Sequence, residues 1–460
     1  MQRERLGSRL GFILLSAGCA IGIGNVWKFP WMVGEYGGGA FVLLYAIFLV
    51  ILGVPVMTME FALGRAAQKS PIDLYKTLEP KGTQWHHYGW AMFAGFILLM
   101  MFYTSVAGWM IKYFFAAASG EFTGVTNEQI DSVFTNMMGN PFEMMVFTFI
   151  VIIAGFLVCS FSLQKGLERV SKYLMIALLV IMVALAIYSM FLPGASKGLE
   201  FYLVPDITKM DTFSEFAKVA SGAMQQAFFT LSLGIGSMAI FGSYIGKERS
   251  LFGESVNVAV LDTFVAITSG LIIFPACFAF DVAVDEPGPA LIFMTLPRVF
   301  NNIPAPFGQI VGSLFFLFLF FAAFTTVIAV FQAIIACCQE KFGWGKKKTC
   351  LICCLAMMAL SLPCIFGFLG SFDFLGKTWQ VLDVEDFIVS NLLLPIGAII
   401  VVLFCSVKRY GWGFENFREE ANTGKGLKIA KWMKPYFIFV LPIVTVAVFV
   451  LSMLSFFKII

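Results

Sequence analysis

Apolar residues fall along this chain in long, nearly unbroken windows. Eleven of them recur between Leu10 and Phe456, centred near residues 22, 52, 102, 151, 180, 231, 267, 324, 358, 397 and 445, each set off by a polar or turn-rich stretch. A hydrocarbon core about 30 Å thick takes roughly 20 mostly apolar residues of helix, so every window is long enough to cross one. The pattern predicts an all-α polytopic membrane protein. The first window carries charges at its edges and lacks an A-x-A cleavage signal, which makes it a permanent span and not a signal peptide.

Composition agrees. With 59% hydrophobic and 13% charged residues and a mean hydropathy of +0.87, a soluble globule of this length lacks the charge to wet its surface. The placement of charge adds orientation, because cytoplasmic loops retain Lys and Arg. With the amino end inside, the outer set is Lys28, Lys112, Lys197, Lys209, Lys218, Arg298, Lys377 and Lys458, eight of the 31 basic residues. The other 23, including Arg3, Arg5, Arg9, Lys346 to Lys348 and the basic residues from Lys408 to Lys434, face the cytoplasm. The amino end is therefore expected inside and the carboxyl end outside, and the net charge of +3 reflects topology, with no nucleic-acid partner implied.

Ten cysteines lie mostly within spans, where a small thiol packs as an apolar residue. Cys337, Cys338, Cys350, Cys353 and Cys354 cluster at two helix ends without a matching histidine, and His86 and His87 beside Trp85 and Trp90 suit an interfacial belt.

Two windows are interrupted by glycine. Span 1 contains Ala17 to Asn25 (AGCAIGIGN), and span 6, five spans later, contains Leu231 to Ser237 (LSLGIGS). Clustered glycines make unwinding cheap, at about 1 kcal/mol each relative to alanine in a helix. Paired interruptions at corresponding places in two halves mark a transporter built from inverted repeats, with its site at the unwound backbone. Freed carbonyls suit a cation and half-helix N-termini suit a carboxylate, a combination that an amino-acid zwitterion with Na⁺ would satisfy. Close helix packing is the competing reading of either cluster alone. Glu60 and Asp262 lie in otherwise apolar spans, where an ionisable group faces a cavity or a partner, and Thr325 and Thr326 interrupt the Phe-rich span 8.

Five segments carry a family resemblance: Gly22–Pro30 (GIGNVWKFP), Gly37–Phe41 (GGGAF), Glu60–Arg65 (EFALGR), Lys165–Arg169 (KGLER) and Gln226–Gly234 (QAFFTLSLG). On these the chain resembles the neurotransmitter:sodium symporters, in particular the bacterial LeuT-type amino-acid transporters, which are also the type example of broken helices in inverted repeats. The resemblance implies a LeuT-type fold in a single transporter domain spanning 1–460. Its first inverted five-helix repeat would cover about 10–193, the second about 217–407, and an additional span about 433–456.

The resemblance also implies residue roles. One sodium site would combine the Ala20 carbonyl with Asn25, Thr230, Asp262 and the substrate's carboxylate, so that ion and amino acid raise each other's affinity. A second would combine carbonyls of Gly18, Ile21 and Ala322 with Thr325 and Thr326. The implied substrate pocket is Ala20, Ile23, Gly24, Leu99, Tyr103, Phe229, Thr230, Ser232, Ile235, Thr326 and Val330. In it Tyr103 donates to the carboxylate, Phe229 forms a lid, and an aliphatic wall suits a hydrophobic or aromatic side chain. Lys28 and Asp386 would form the outer gate. Arg3 would reach Glu340 at the inner gate, supported by Tyr244 and Gln332.

Departures from the family pattern modify these expectations. Lys28 stands where the family has arginine, keeping the charge but losing the bidentate fork. Asp262 replaces the commoner asparagine near Tyr45, Gln226 and Thr230, where chloride-dependent relatives place Cl⁻, and should make chloride unnecessary. Gly166 is not followed by the span 5 proline with which some relatives release the inner ion, and eleven spans stand against the twelve of many relatives. The outer loops lack N-x-S/T sequons and both tails are short, which favours a bacterial inner membrane. The expected function is sodium-coupled import of a neutral L-amino acid with two Na⁺ ions, by a monomer or weak homodimer. A non-transporting sensor or channel on the same scaffold is the alternative. An enzyme finds no support: Gly370–Thr378 imitates a P-loop but has five residues between its glycines, not four, and falls outside.

Overall fold

The computed structural model describes residues 4–282, 284, 289–374 and 377–457. Among the described residues, nine continuous helices are long and apolar enough to cross a membrane: spans 2 (Gly39–Ala67), 3 (His87–Ser119), 4 (Pro141–Ser160), 5 (Gln164–Met190), 7 (Leu251–Ala279), 8 (Phe307–Phe342), 9 (Lys346–Gly367), 10 (Val381–Ser406) and 11 (Lys431–Leu454). Span 1 is a bent pair, Arg9–Ala20 and Gly24–Tyr36, whose halves meet at 53°. Span 6 is also two pieces, Phe213–Thr230 and Ser237–Gly242. Its first piece begins with a Thr212/Glu215 capping box. Its polar residues, among them Glu215, Lys218, Gln225 and Gln226, set it apart from the uniformly apolar spans.

The breaks fall where close approach leaves no room for a side chain. A Cβ on Gly22 would lie 2.2 Å from the Tyr103 hydroxyl and 2.6 Å from Thr326 Oγ1. Gly234 has φ +96°, and a Cβ there would meet the Leu394 carbonyl of span 10 at 2.2 Å. Both positions therefore require glycine. The broken ends of span 6 are held by span 2, since Glu60 accepts hydrogen bonds from the Gly234 N–H at 2.6 Å and the Met238 N–H at 3.1 Å. These are amides that helix termini otherwise leave without a partner.

Residues turned outward are apolar, as in Val180, Phe191, Phe142 and Ile443, which fits a molecule whose solvent is lipid. Polar groups collect inside, along spans 1, 6, 7 and 8. The chain is not wholly helical: Phe372–Phe374 (β1) pairs antiparallel with Lys377–Trp379 (β2). The helical fold expected from the sequence holds around this short strand pair, which overlaps the P-loop imitation. The exposed alternation of aromatic and polar residues around Trp379 pairs strands instead of starting a helix, and Trp379 packs on Phe387 and Phe456.

Candidate functional site

Asp262 is fully buried on span 7 and gathers donors from three other spans. The Asn25 side-chain amide donates to Asp262 Oδ1 at 2.9 Å and to the Asp262 carbonyl at 3.1 Å. The Thr230 hydroxyl lies 3.2 and 3.1 Å from the two carboxylate oxygens, and the Tyr45 hydroxyl 3.4 Å from Oδ2. Backbone at the break is drawn in as well: Asn25 Oδ1 accepts from the Gly22 N–H at 3.2 Å, and the Gly24 carbonyl accepts from Gln226 Nε2 at 2.7 Å. Ser269 donates to the Asn25 carbonyl at 2.7 Å. The outcome is a cage of carboxylate, amide, hydroxyl and carbonyl oxygens, a hard ligand set suited to a cation such as Na⁺.

A second convergence joins span 1 to span 8. The Thr326 hydroxyl lies 3.3 Å from the carbonyls of Gly18 and Cys19 and 3.5 Å from that of Ile21. Thr325 donates to the Ala322 carbonyl at 2.9 Å. Of the expected oxygen sources, Gly18 and Ile21 thus meet Thr326 across this junction, with Cys19 added, while Thr325 and Ala322 bond to each other within span 8.

Between the two convergences lies a pocket of about 20 Å³. Its wall includes Ala20, Gly24, Leu99, Tyr103, Phe229, Ser232, Ile235 and Thr326, as expected from the sequence, and also Cys19, Gly22, Val389 and Leu394. Cys19 and Gly22 lie inside a motif already singled out; Val389 and Leu394 belong to span 10, where nothing in the sequence marks them. Three expected residues lie elsewhere. Thr230 is turned to Asp262, Ile23 lines the vestibule above, and Val330 is buried but is not part of this wall. Tyr103 accepts from the Ile23 N–H at 2.9 Å, which orients the phenol and leaves it a proton to give.

Above the pocket is a vestibule of about 190 Å³, with Phe229 and Tyr103 as its floor. Here Lys28 Nζ lies 3.6 Å from Asp386 Oδ2, 3.3 Å from the Ser390 hydroxyl and 4.1 Å above the Phe229 ring. Ser390 in turn donates to Asp386 at 2.6 Å. One ammonium therefore bridges the expected outer gate and the expected lid.

On the opposite side, among the residues expected at the inner gate, Gln332 donates to the Tyr244 hydroxyl at 3.1 Å and Glu340 accepts from the Ser70 N–H at 2.7 Å. Arg3, expected to reach Glu340, lies outside the described residues. The segment after it is pinned by two carboxylates that sequence reasoning did not select. Glu168 accepts from the Gly7 N–H at 2.8 Å and the Ser8 hydroxyl at 2.9 Å, and Arg9 pairs with the buried Glu254 at 2.9 Å. Glu168 sits within the KGLER segment, which was the available signal.

Comparison with known proteins places this geometry. The sequence profile of the Sodium:neurotransmitter symporter family matches residues 3–137 and 129–459. The chain belongs to this family. Among individual members, an uncharacterised sodium-dependent transporter of Bacillus subtilis is 33% identical over 98% of each chain. Another such transporter, from Methanocaldococcus jannaschii, is 32% identical over 97% of this chain and 90% of its own. The crystal structure of MhsT in complex with L-phenylalanine superposes with a TM-score of 0.87 at 35% identity, covering 98% of this chain and all of that one. This symporter accordingly has the LeuT-type fold, with spans 1 and 6 broken at its centre.

Proposed function

We propose that the protein imports a neutral, hydrophobic or aromatic L-amino acid together with two Na⁺ ions, without chloride, by alternating access between the two gates. The observation that carries this reading is the placement of two separate oxygen clusters, around Asp262 and around Thr326, on either side of one pocket headed by Tyr103. Unwound backbone at membrane depth is tolerated where it lines such a cavity.

In this reading one ion lies among Ala20, Asn25, Thr230 and Asp262 and shares the substrate's carboxylate. The other lies among Gly18, Ile21, Ala322, Thr325 and Thr326. Tyr103 donates to the same carboxylate, and the aliphatic wall of Leu99, Ile235, Val389 and Leu394 takes an uncharged side chain. The MhsT complex, whose title names L-phenylalanine, supports an amino acid of that kind. Asp262 brings its own negative charge to the first ion, in contact with Tyr45 and Thr230, and so replaces chloride.

Alternating access follows from which contacts release. With the outer gate shut by Lys28, Asp386 and Phe229, the inner side opens when the N-terminal segment leaves Glu168 and Glu254. The partly exposed Lys28–Asp386 pair contributes only about 0 to 1 kcal/mol, which suits a latch that opens in every cycle. The inverted repeats at about 10–193 and 217–407, with 433–456 added, supply the two moving halves. We place the protein in a bacterial inner membrane as a monomer or weak homodimer, with the amino end in the cytoplasm.

Two ions suffice energetically. Each gains about 2.3 kcal/mol from 100 mV and about 1.4 from a tenfold gradient, roughly 7 kcal/mol in all, enough for on the order of 10⁵-fold accumulation. The deciding experiment is uptake by proteoliposomes under an imposed Na⁺ gradient, with all twenty amino acids as competitors. Accumulation of one hydrophobic group, lost in choline, is the expected result; accumulation that survives in choline overturns the reading.

A further inference from the structure

A large cavity lies away from the proposed transport path. It is a groove of about 720 Å³ on the lipid-facing surface, between span 2, span 7 and the start of span 11. It runs along span 7 from Phe252 to Ile267, about 22 Å at 1.5 Å per residue, more than the roughly 15 Å of one leaflet's hydrocarbon. Its volume falls in the range of roughly 300 to 1,000 Å³ found for small-molecule sites.

The wall offers hydrocarbon and almost nothing else. Its two hydroxyls are already engaged, Thr263 on the Ala259 carbonyl at 2.8 Å and Tyr436 on the Ile51 carbonyl of span 2. Val260 stands open to the membrane at 64% exposure. Bulk lipid would fill such a groove without selection, so what singles out an occupant is the charge at its mouth.

Trp432 marks that mouth, and the residues around it are basic. From Lys408 to Lys434 the chain carries seven Lys or Arg against three Glu. Lys434 is tied to Glu415 at 2.5 Å and Lys247 to Glu420 at 3.6 Å. Arg249, Lys428 and Lys431 are exposed and, among the described residues, make no ion pair. The basic residues place this end on the cytoplasmic side, where the leaflet is anionic.

We propose that the groove is the binding site of an anionic diacyl phospholipid of the cytoplasmic leaflet, with an acyl chain along span 7 and the phosphate against Lys428, Lys431 and Arg249. The bound chain also buttresses the transport core. The groove wall on span 2 is Leu49, Val50 and Ile51 of the π-helical turn Leu49–Gly53 with Val54 and Pro55 after it, and on that same turn Gly53 presses on Leu231 in the break of span 6, where a Cβ would lie 2.6 Å from Leu231 Cδ1. On span 7, Ala259 in the wall lies one helical turn before Asp262.

The test uses binding, so its outcome is independent of whether the substrate reading holds. Purified full-length protein in delipidated detergent is titrated with dioleoyl phosphatidylglycerol or dioleoyl phosphatidylcholine and read by native mass spectrometry. Each basic contact gives roughly a fivefold preference for the anionic lipid, so the first phosphatidylglycerol should bind at least about tenfold more tightly. Val260→Trp, which fills the groove at a lipid-exposed position, should remove that first site. Lys428→Glu with Lys431→Glu should remove the preference and leave phosphatidylcholine binding unchanged. In the unaltered protein, phosphatidylglycerol with brominated chains should quench tryptophan fluorescence more than brominated phosphatidylcholine, and Trp432→Phe should lose that difference. Equal binding of the two lipids, phosphatidylglycerol binding unaffected by Val260→Trp, or a protein dimer that Val260→Trp dissolves would each overturn the proposal.

Discussion

The Asn25 amide of span 1 and the Asp262 carboxylate of span 7 are 2.9 Å apart, although 237 positions separate them in the chain. The contact ties the break in span 1 to an unbroken neighbour and puts a carboxylate, not a neutral amide, beside the proposed first ion. Asp262→Asn keeps the shape and removes the charge. The variant should need at least about tenfold more Na⁺ for half-maximal uptake, corresponding to loss of one charged hydrogen-bonding contact, and its uptake should become chloride-stimulated. Uptake by the parent should be the same in chloride and in gluconate; a several-fold fall in gluconate would rule out the chloride-independent reading.

Thr326 reaches three span 1 carbonyls from span 8 with one hydroxyl. Thr326→Val preserves volume but leaves those carbonyls without the hydroxyl, so the second ion should be lost, whereas Thr326→Ser should retain it. Reversal-potential measurements read this directly: the valine variant should couple one Na⁺ per substrate and the parent two.

Lys28 is positioned both by Asp386 and by the Phe229 ring. The pair contributes about 0 to 1 kcal/mol and the ring contact about 0.5 to 1. Lys28→Ala should therefore speed substrate release by roughly 2- to 30-fold. Lys28→Arg should slow it below the parent rate, because a guanidinium binds the carboxylate with two parallel bonds. Scintillation-proximity dissociation of bound amino acid distinguishes the three.

Gly22→Ala introduces a methyl group 2.2 Å from the Tyr103 oxygen. Overpacking of this kind costs about 1 to 3 kcal/mol. Because the clash is present without substrate, the thermal midpoint of the detergent-solubilised protein should fall, and because it displaces Tyr103 at the pocket, substrate affinity should fall with it. A protein that binds substrate normally with alanine at this position would contradict the geometry described for the break.

Much of this molecule could be read before its structure was known. Apolar windows are a local property, and among the described residues ten of the eleven become helices or a bent helix pair long and apolar enough to cross, because lipid leaves a backbone of that length no other way to satisfy its hydrogen bonds. The glycines at 22 and 234 announced the breaks, since only a position without Cβ tolerates such approach or a positive φ. Of the polar residues in the two oxygen clusters, Asn25 and Thr230 lie in the family segments, while Asp262, Thr325 and Thr326 stood out as polar groups in otherwise apolar spans. Val389 and Leu394 were illegible because an aliphatic residue in an apolar span looks the same whether it faces a pocket, a neighbour or lipid. Glu168 and Glu254 were missed because their partners, Gly7, Ser8 and Arg9, lie about 160 and 245 positions away.

What the sequence alone determined, then, was which segments enter the membrane, where two of them must break, and which polar side chains are too costly to bury without a purpose. Tertiary packing alone decided which walls close the pocket, which carboxylates hold the amino-terminal segment, and that spans 2, 7 and 11 leave an apolar groove with a basic mouth. Hydropathy and backbone strain are paid residue by residue, whereas pockets, latches and grooves arise from surfaces brought together across hundreds of positions, which no local pattern encodes.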